Sequence, residues 1–327
     1  MVPAARSGPI PGLAPARVRT GAGRPLVAVF PGAAEVPPGV SVPVFRGVEE
    51  AVLALGRVAG YATWRRTPPG PVRSPDRMDP TRARGVIAEL GVSSGPAGAD
   101  ATALLACYGI AVVPSCQVGT SVAAVVAAAQ EIGFPVAVKL AAAPWRHRVD
   151  LGAVRLNLSG PADVARAYHE LSGLFGADNE VIVQPMVTPG VACVVEVVDD
   201  PAFGPVVGFG VGGVASELLG DRAWRSAPLT DADAAAMISA PRAAPVLHGY
   251  RGSQAVDVTA LADLLVRVGR LADDHPRLRR LELNPVLVRP DGYSVLHATV
   301  RVGRRAVRPD SGPRRWGGPL QTPRQDA

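Results

Sequence analysis

Apolar and polar positions alternate along this chain with two periods, and the switches between them mark out its elements. Spacings of three and four mark helices over 48–61 (Val48, Val52, Leu55, Val58, Ala59), 81–90, 100–108, 121–132, 162–175, 231–239 and 256–273. Short apolar runs between turn residues mark strands over 25–30, 42–45, 111–113, 135–140, 153–158, 181–186, 192–198, 205–209, 280–288 and 294–300. Asp100 and Ser121 stand where N-caps belong, and Gly109 and Gly133 where helices stop. Helices alternating with strands predict a layered α/β or α+β domain of about 200 residues, with its boundary near residue 95.

The flanks lack this regularity. Residues 1–23 are rich in proline and glycine and predict disorder, as does 303–327. Residues 24–66 read as a short strand, strand and helix piece, too small to fold alone. The five prolines of 67–80 predict a linker over 67–94 that carries one short helix.

Composition narrows the function classes. The 327 residues are 48% apolar but only 5% aromatic, so Val, Ala and Leu must build the core. No apolar run of about 18 residues occurs, and the N-terminus lacks an apolar signal region; a soluble cytoplasmic protein without a membrane partner follows. Cys107, Cys116 and Cys193 form no CxxC pair and read as three small buried side chains in a reducing compartment. The net charge of +6 comes mostly from seven arginines in 301–327, set against Asp310 and Asp326, so no specific nucleic-acid surface is expected. Of the 34 basic residues only Lys139 is a lysine. A site that needs a compact ammonium rather than a planar guanidinium would explain it.

Four segments could carry chemistry. Pro-Val-Ala-Val-Lys-Leu (135–140) puts Lys139 at the end of a buried strand, where it can meet an anion as a point charge; protection of a sheet edge explains it equally well. The loop 143–154 carries Arg146, His147, Arg148 and Gly152, small and basic enough to let phosphate approach, or an ordinary surface loop. Gly210, Gly212 and Gly213 after a strand predict an amide-lined turn for phosphate, with Glu217 and Asp221 four apart beyond it. In Leu-Glu-Leu-Asn-Pro-Val (281–286), Glu282 and Asn284 share one strand face. An acid and an amide oxygen there suit a hard cation such as Mg²⁺, and a lone Glu in an apolar strand is costly without such a role.

In order and spacing these segments resemble the ATP-grasp part of NDP-forming acyl-CoA synthetases (acetate–CoA ligase, ADP-forming) over residues 95 to 302. The carriers are LLACYGIAV, EIGFPVAVKL, HRVDLGAV, VQPM, DPAFGPVVGFGVGG, APLT, HGYRG and LELNPVLV. The resemblance implies an ATP-grasp fold of two α/β subdomains, 95–178 and 179–302, with ATP and Mg²⁺ as ligands. Residues 24–66 resemble the closing strand and helix of a CoA-ligase domain, so the CoA-binding and phosphohistidine domains are expected on another chain. It also implies roles. Lys139 would hold the α-phosphate side, Gln184, Pro185 and Met186 would form the hinge against adenine, and 147–153 would cover the phosphates, with His147 relaying phosphate. Glu282 would face the phosphohistidine, Asn284 would bind Mg²⁺, and His297 would take the second metal position.

The pattern departs from relatives at several places. Relatives read HKSDVGGV where this chain has Arg148 and Ala153. Ala192 stands where they carry a glutamate, and His297-Ala298 replaces an Asp-Ala pair. Imidazole is a poor ligand for Mg²⁺. Three readings follow: an ATP-binding module transferring phosphate to a partner histidine in an acid–thiol ligase, a catalytically impaired nucleotide-binding or regulatory relic, and a stand-alone carboxylate-activating ligase.

Overall fold

The computed structural model describes residues 25–30, 42–68, 70–91, 99–142, 145, 151–176, 178–213, 216 and 218–304. The predicted tail from 305 and the loop positions His147 and Arg148 lie outside them. The chain divides into two units, 1–69 and 70–327. In the first, β1 (Ala28–Val29) pairs in parallel with β2 (Val44–Phe45) and helix α1 (Val48–Arg66) follows. Glu49 and Glu50 in the first turn of α1 and Arg65 and Arg66 in its last match the helix dipole, which carries it past the predicted end at Tyr61.

The second unit begins with a correction. Residues 70–90 are no linker. Arg73 pairs with Asp231 at 2.6 Å and with Asp263 at 2.8 Å, while Arg267 donates to the Asp76 carbonyl at 2.9 Å. Helix α2 (Pro80–Leu90), capped by Asp79, buries Ala83 and Ile87 in the same core as the later helices. The prolines shape a strap whose anchoring charges are far off in sequence, which is why local pattern misread it.

Two sheets follow. The smaller has the order β4 (Cys116–Val118), β7 (Val181–Pro185), β5 (Val136–Leu140), β6 (Val154–Leu158), all antiparallel. Helices α4 (Val122–Ile132) and α5 (Pro161–Phe175) cover one face, closing a core of Val125, Val136, Val138, Val164, Leu171 and Val183. β7 thus belongs with the first subdomain, not with 179–302 as the sequence reading divides it. The larger sheet has seven strands, with the path β10 (Ala223–Ser226), β9 (Gly204–Val211), β8 (Val191–Asp200), β11 (Leu278–Arg289), β13 (Ala298–Val302), β3 (Ala99–Asp100), and β12 (Gly292–Val295) paired to β11. Its core face holds Val195, Val207, Phe209, Leu281 and Leu283 against α3 (Thr102–Ala106), α6 (Asp231–Ser239) and α7 (Val258–Asp274). Thr230 and Asp233 close a reciprocal capping box at the start of α6.

Local departures are small. The expected strand 111–113 is reduced to one parallel bridge, Val112 to Val295, while β4 and β10 are additional. The final strand breaks at Leu296 and His297 into β12 and β13. Cys116 is exposed, unlike the buried Cys107 and Cys193. Burial pushes the Cys193 thiol up to about 12, which leaves it an inert apolar side chain. Among the described residues no helix is long and apolar enough to cross a membrane.

Candidate functional site

Side-chain alternation on β5 sends Val136, Val138 and Leu140 to the helices and Lys139 to the opposite face. Register puts Gln184 of β7 opposite Ala137, diagonal to Lys139. Both are buried, at 6% and 3% exposure. The ammonium donates to Gln184 Oε1 at 3.0 Å. From the other end of the amide, Nε2 donates to the carbonyls of Leu296 at 2.9 Å and Val113 at 3.1 Å.

Those carbonyls belong to the large sheet's margin, so the amide crosses from one sheet to the other. Leu296 N–H donates to the Pro285 carbonyl at 3.0 Å, and Asn284 N–H to the His297 carbonyl at 3.0 Å. Lys139, Gln184, Leu296, His297 and Asn284 thus lie along one hydrogen-bonded seam. Register slips between Leu283 and Val286 on β11, where Pro285 has no N–H to give the ladder. Asn284 Nδ2 folds back on Glu282 Oε1 at 3.2 Å.

Sequence reasoning missed the rest of this face. Glu196 on β8 stands directly opposite Glu282, and two carboxylates so placed repel. Arginines compensate: Arg222 reaches Glu196 at 2.7 Å, and one Arg280 nitrogen lies 3.5 Å from both Glu196 and Glu282. Glu196 is 7% exposed, in a space that exists because position 208 is glycine. A Cβ at Gly208 would stand 2.9 Å from Glu196 Cγ and 2.8 Å from the Trp224 ring.

The glycine-rich turn also needs correcting. Gly210 lies within β9, where a Cβ would come within 2.9 Å of the Asp221 carbonyl. Gly212 is pressed against Ala192, and its N–H donates to the Ala192 carbonyl at 2.6 Å. Gly213, at φ +121°, keeps open space beside it. Close packing thus accounts for Gly210 and Gly212. Asp221 accepts from Arg242 and Ala243 N–H at 2.9 and 3.0 Å; Glu217 lies outside the described residues. At the predicted hinge, Met186 N–H is committed to the Pro135 carbonyl at 3.0 Å, and Pro185 has none, so neither donates a backbone hydrogen bond to a base. Gly152, at φ +72°, has its carbonyl held by Arg155, which also pairs with Glu170 at 3.0 Å; the Ala153 methyl is fully buried in the small core.

As for a cation, Glu282 and Asn284 supply oxygens on one face, and Mg²⁺ bound with a nucleotide needs only one or two from the protein. The donor set fits that limited role. It does not fit an all-protein cage: among the described residues no group of three His, Cys, Asp or Glu could hold a metal. The imidazole of His297 adds no oxygen.

Known proteins agree with this architecture. A family model described as an ATP-grasp domain matches residues 96–302. The ADP-forming acetate–CoA ligase I of Archaeoglobus fulgidus is 37% identical over 229 residues, covering 68% of this chain and 33% of that protein. The β subunit of ADP-forming acetate–CoA ligase II of Pyrococcus furiosus is 33% identical over 210 residues, 62% of this chain and 89% of that subunit. The chain therefore spans about a third of the Archaeoglobus relative. A solved structure of the dinucleotide-forming acetyl-coenzyme A synthetase 1 of Ca. Korarchaeum cryptofilum, in complex with coenzyme A, Ca-AMPCP and HgCl+, matches with a TM-score of 0.59 at 31% identity, over 68% of this chain and 100% of that one. Two sheets meeting at a lysine-bearing seam, with these relatives, place the chain in the ATP-grasp family, on its ADP-forming acid–CoA ligase branch.

Proposed function

We propose that this chain is the nucleotide-binding half of an NDP-forming acyl-CoA synthetase, passing a phosphoryl group between ATP and a histidine on a partner that binds CoA. The carrying observation is the seam from Lys139 through Gln184 to the Asn284 segment, which ties the ammonium by hydrogen bonds to the backbone that carries the acid–amide pair. The complex of the Korarchaeum relative with coenzyme A and a calcium–nucleotide chelate supports it.

In this reading Lys139 meets the phosphates as a point charge, and Pro185 and Met186 offer the base an apolar edge. Asn284 and Glu282 would hold the Mg²⁺ that accompanies the nucleotide, which would offset charge on the transferring phosphoryl. Glu282 also orients the incoming imidazole. The bond from the γ-phosphorus to the bridging oxygen breaks as the N–P bond forms, and the imidazole proton leaves. The coupled whole converts acid, CoA and NTP to acyl-CoA, NDP and phosphate. A second reading, binding without turnover, is favoured by Arg280, which already engages Glu282, and by His297 at the second metal position.

Calorimetric titration with MgATP tests both. Lys139→Ala should weaken binding by about 3 kcal/mol, roughly a hundredfold in Kd. Equal affinity in wild type and variant would remove the lysine from the site. Wild-type binding without phosphoryl transfer to the completed partner would establish the second reading.

A further inference from the structure

The Gln184 amide can face only one way. Its nitrogen lies 3.1 and 2.9 Å from two carbonyl oxygens, and its oxygen 3.0 Å from an ammonium. Flipping it would set an oxygen against two carbonyls and an NH₂ against a cation. With 3% exposure, this side chain has both N–H groups and its carbonyl committed within the protein.

Its acceptors are equally informative. Val113 and Leu296 flank the bridge between Val112 and Val295, where Val113 N–H donates to the Val295 carbonyl at 2.8 Å. Leu296 precedes His297, whose carbonyl holds Asn284. One neutral amide therefore fixes both the lysine and the backbone carrying the acid–amide pair. A carboxylate in its place would pair with Lys139 but could not donate to either carbonyl. An apolar side chain would leave both carbonyls and the ammonium without these partners.

We propose that Gln184 is a positioning residue, which aims Lys139 and sets the small sheet against the Asn284 segment, and does not read the base with its side chain. The proposal deepens the nucleotide reading and rests on Lys139 meeting phosphate. It separates two effects that hinge residues often combine: shape recognition of a base, and placement of charge for the phosphates.

Lys139 is the only lysine in the chain, so acylation with N-hydroxysuccinimidyl acetate, read by peptide mass spectrometry, reports one side chain. The full chain is compared as wild type, Gln184→Met and Gln184→Glu, with unfolding curves to confirm folding. Gln184→Met should speed Lys139 labelling about tenfold, the effect of one lost hydrogen bond to a charge. It should weaken ADP by about the same factor while adenosine changes less than about twofold. Gln184→Glu should keep labelling near the wild-type rate yet weaken ADP, because it sets a negative charge beside the ammonium that meets the phosphates. Unchanged labelling in Gln184→Met would overturn the proposal, as would equal losses of ADP and adenosine affinity. If Gln184→Met does not fold, Gln184→Glu decides: ADP affinity held at the wild-type level overturns it. Failure of ADP to protect Lys139 in the wild type would instead sink the nucleotide reading, and the labelling rates would still decide whether Gln184 holds the lysine.

Discussion

The two sheets carry charge in opposite ways. On its helix-free face the small sheet places one ammonium, held by a neutral amide that does not cancel its charge. The large sheet places two carboxylates and two arginines that satisfy one another through Glu196, Arg222, Arg280 and Glu282. An ammonium bonded to an amide oxygen and carboxylates that share two arginines answer to substitution differently, because breaking a buried ion pair leaves a charge stranded in the sheet. Substitutions on the small sheet should therefore speak through binding, and those on the large one through stability as well.

The largest expected effect tests whether the sheets stand or fall together. Phe209→Ala removes a fully buried ring from the large core and should cost about 4 kcal/mol in denaturant unfolding. If the seam couples the sheets, hydrogen exchange will show β5 and β7 losing protection together with β8 and β11. Independent loss would uncouple them. Next, Glu196→Gln should destabilise the chain by about 2 kcal/mol, since it strips Arg222 of its partner, and should also release Arg280 onto Glu282. A change in nucleotide affinity without any loss of stability would reverse the contrast drawn above.

Acid provides a gentler probe. Burial lowers the His275 pKa below its ordinary 6.5; nearby Arg84 lowers it further, while Asp274 opposes them. A folded pKa below the unfolded one means stability is full above pH 6.5 and declines as pH falls beneath it. The helical layer around Tyr108 and His275, which are linked at 2.9 Å, should loosen first. His275→Gln should flatten that slope in unfolding measured from pH 7.5 to 5. The smallest change is expected from His297→Asp, which adds an oxygen ligand beside Asn284. Magnesium should then tighten ADP binding about fivefold more than in wild type; an unchanged magnesium dependence would remove His297 from the metal question.

Much of this was legible in the sequence, for a physical reason. Glu282 and Asn284 sit on a strand whose period is short and local, so alternation gave them one shared face; Lys139 stood out as the one lysine, near a strand end, and Gln184 entered only through the family resemblance. The same rule that singled out Glu282, a lone carboxylate in an apolar strand, applied equally to Glu196 in Val-Ala-Cys-Val-Val-Glu-Val-Val, and could have found it. What Glu196 meets depends on register with β11, whose Glu282 lies 86 residues further along the chain, and on the slip at Pro285. The amide of Gln184 likewise reads as a hinge in sequence and as a tie between sheets in space. The strap at 70–79 was misjudged because its restraint lies in Asp231, Asp263 and Arg267, none of them local. Gly210 and Gly212 read as a phosphate turn because closeness of backbone to backbone has the same signature as closeness of backbone to phosphate.

The hollow at Gly208 implies a trade in volume between neighbouring strands. Glu196 and the Trp224 ring together fill the room that any larger residue at 208 would claim. Bulk at 208 must therefore be matched by smaller residues at 196 and 224, so the three positions should change together during evolution and not drift singly.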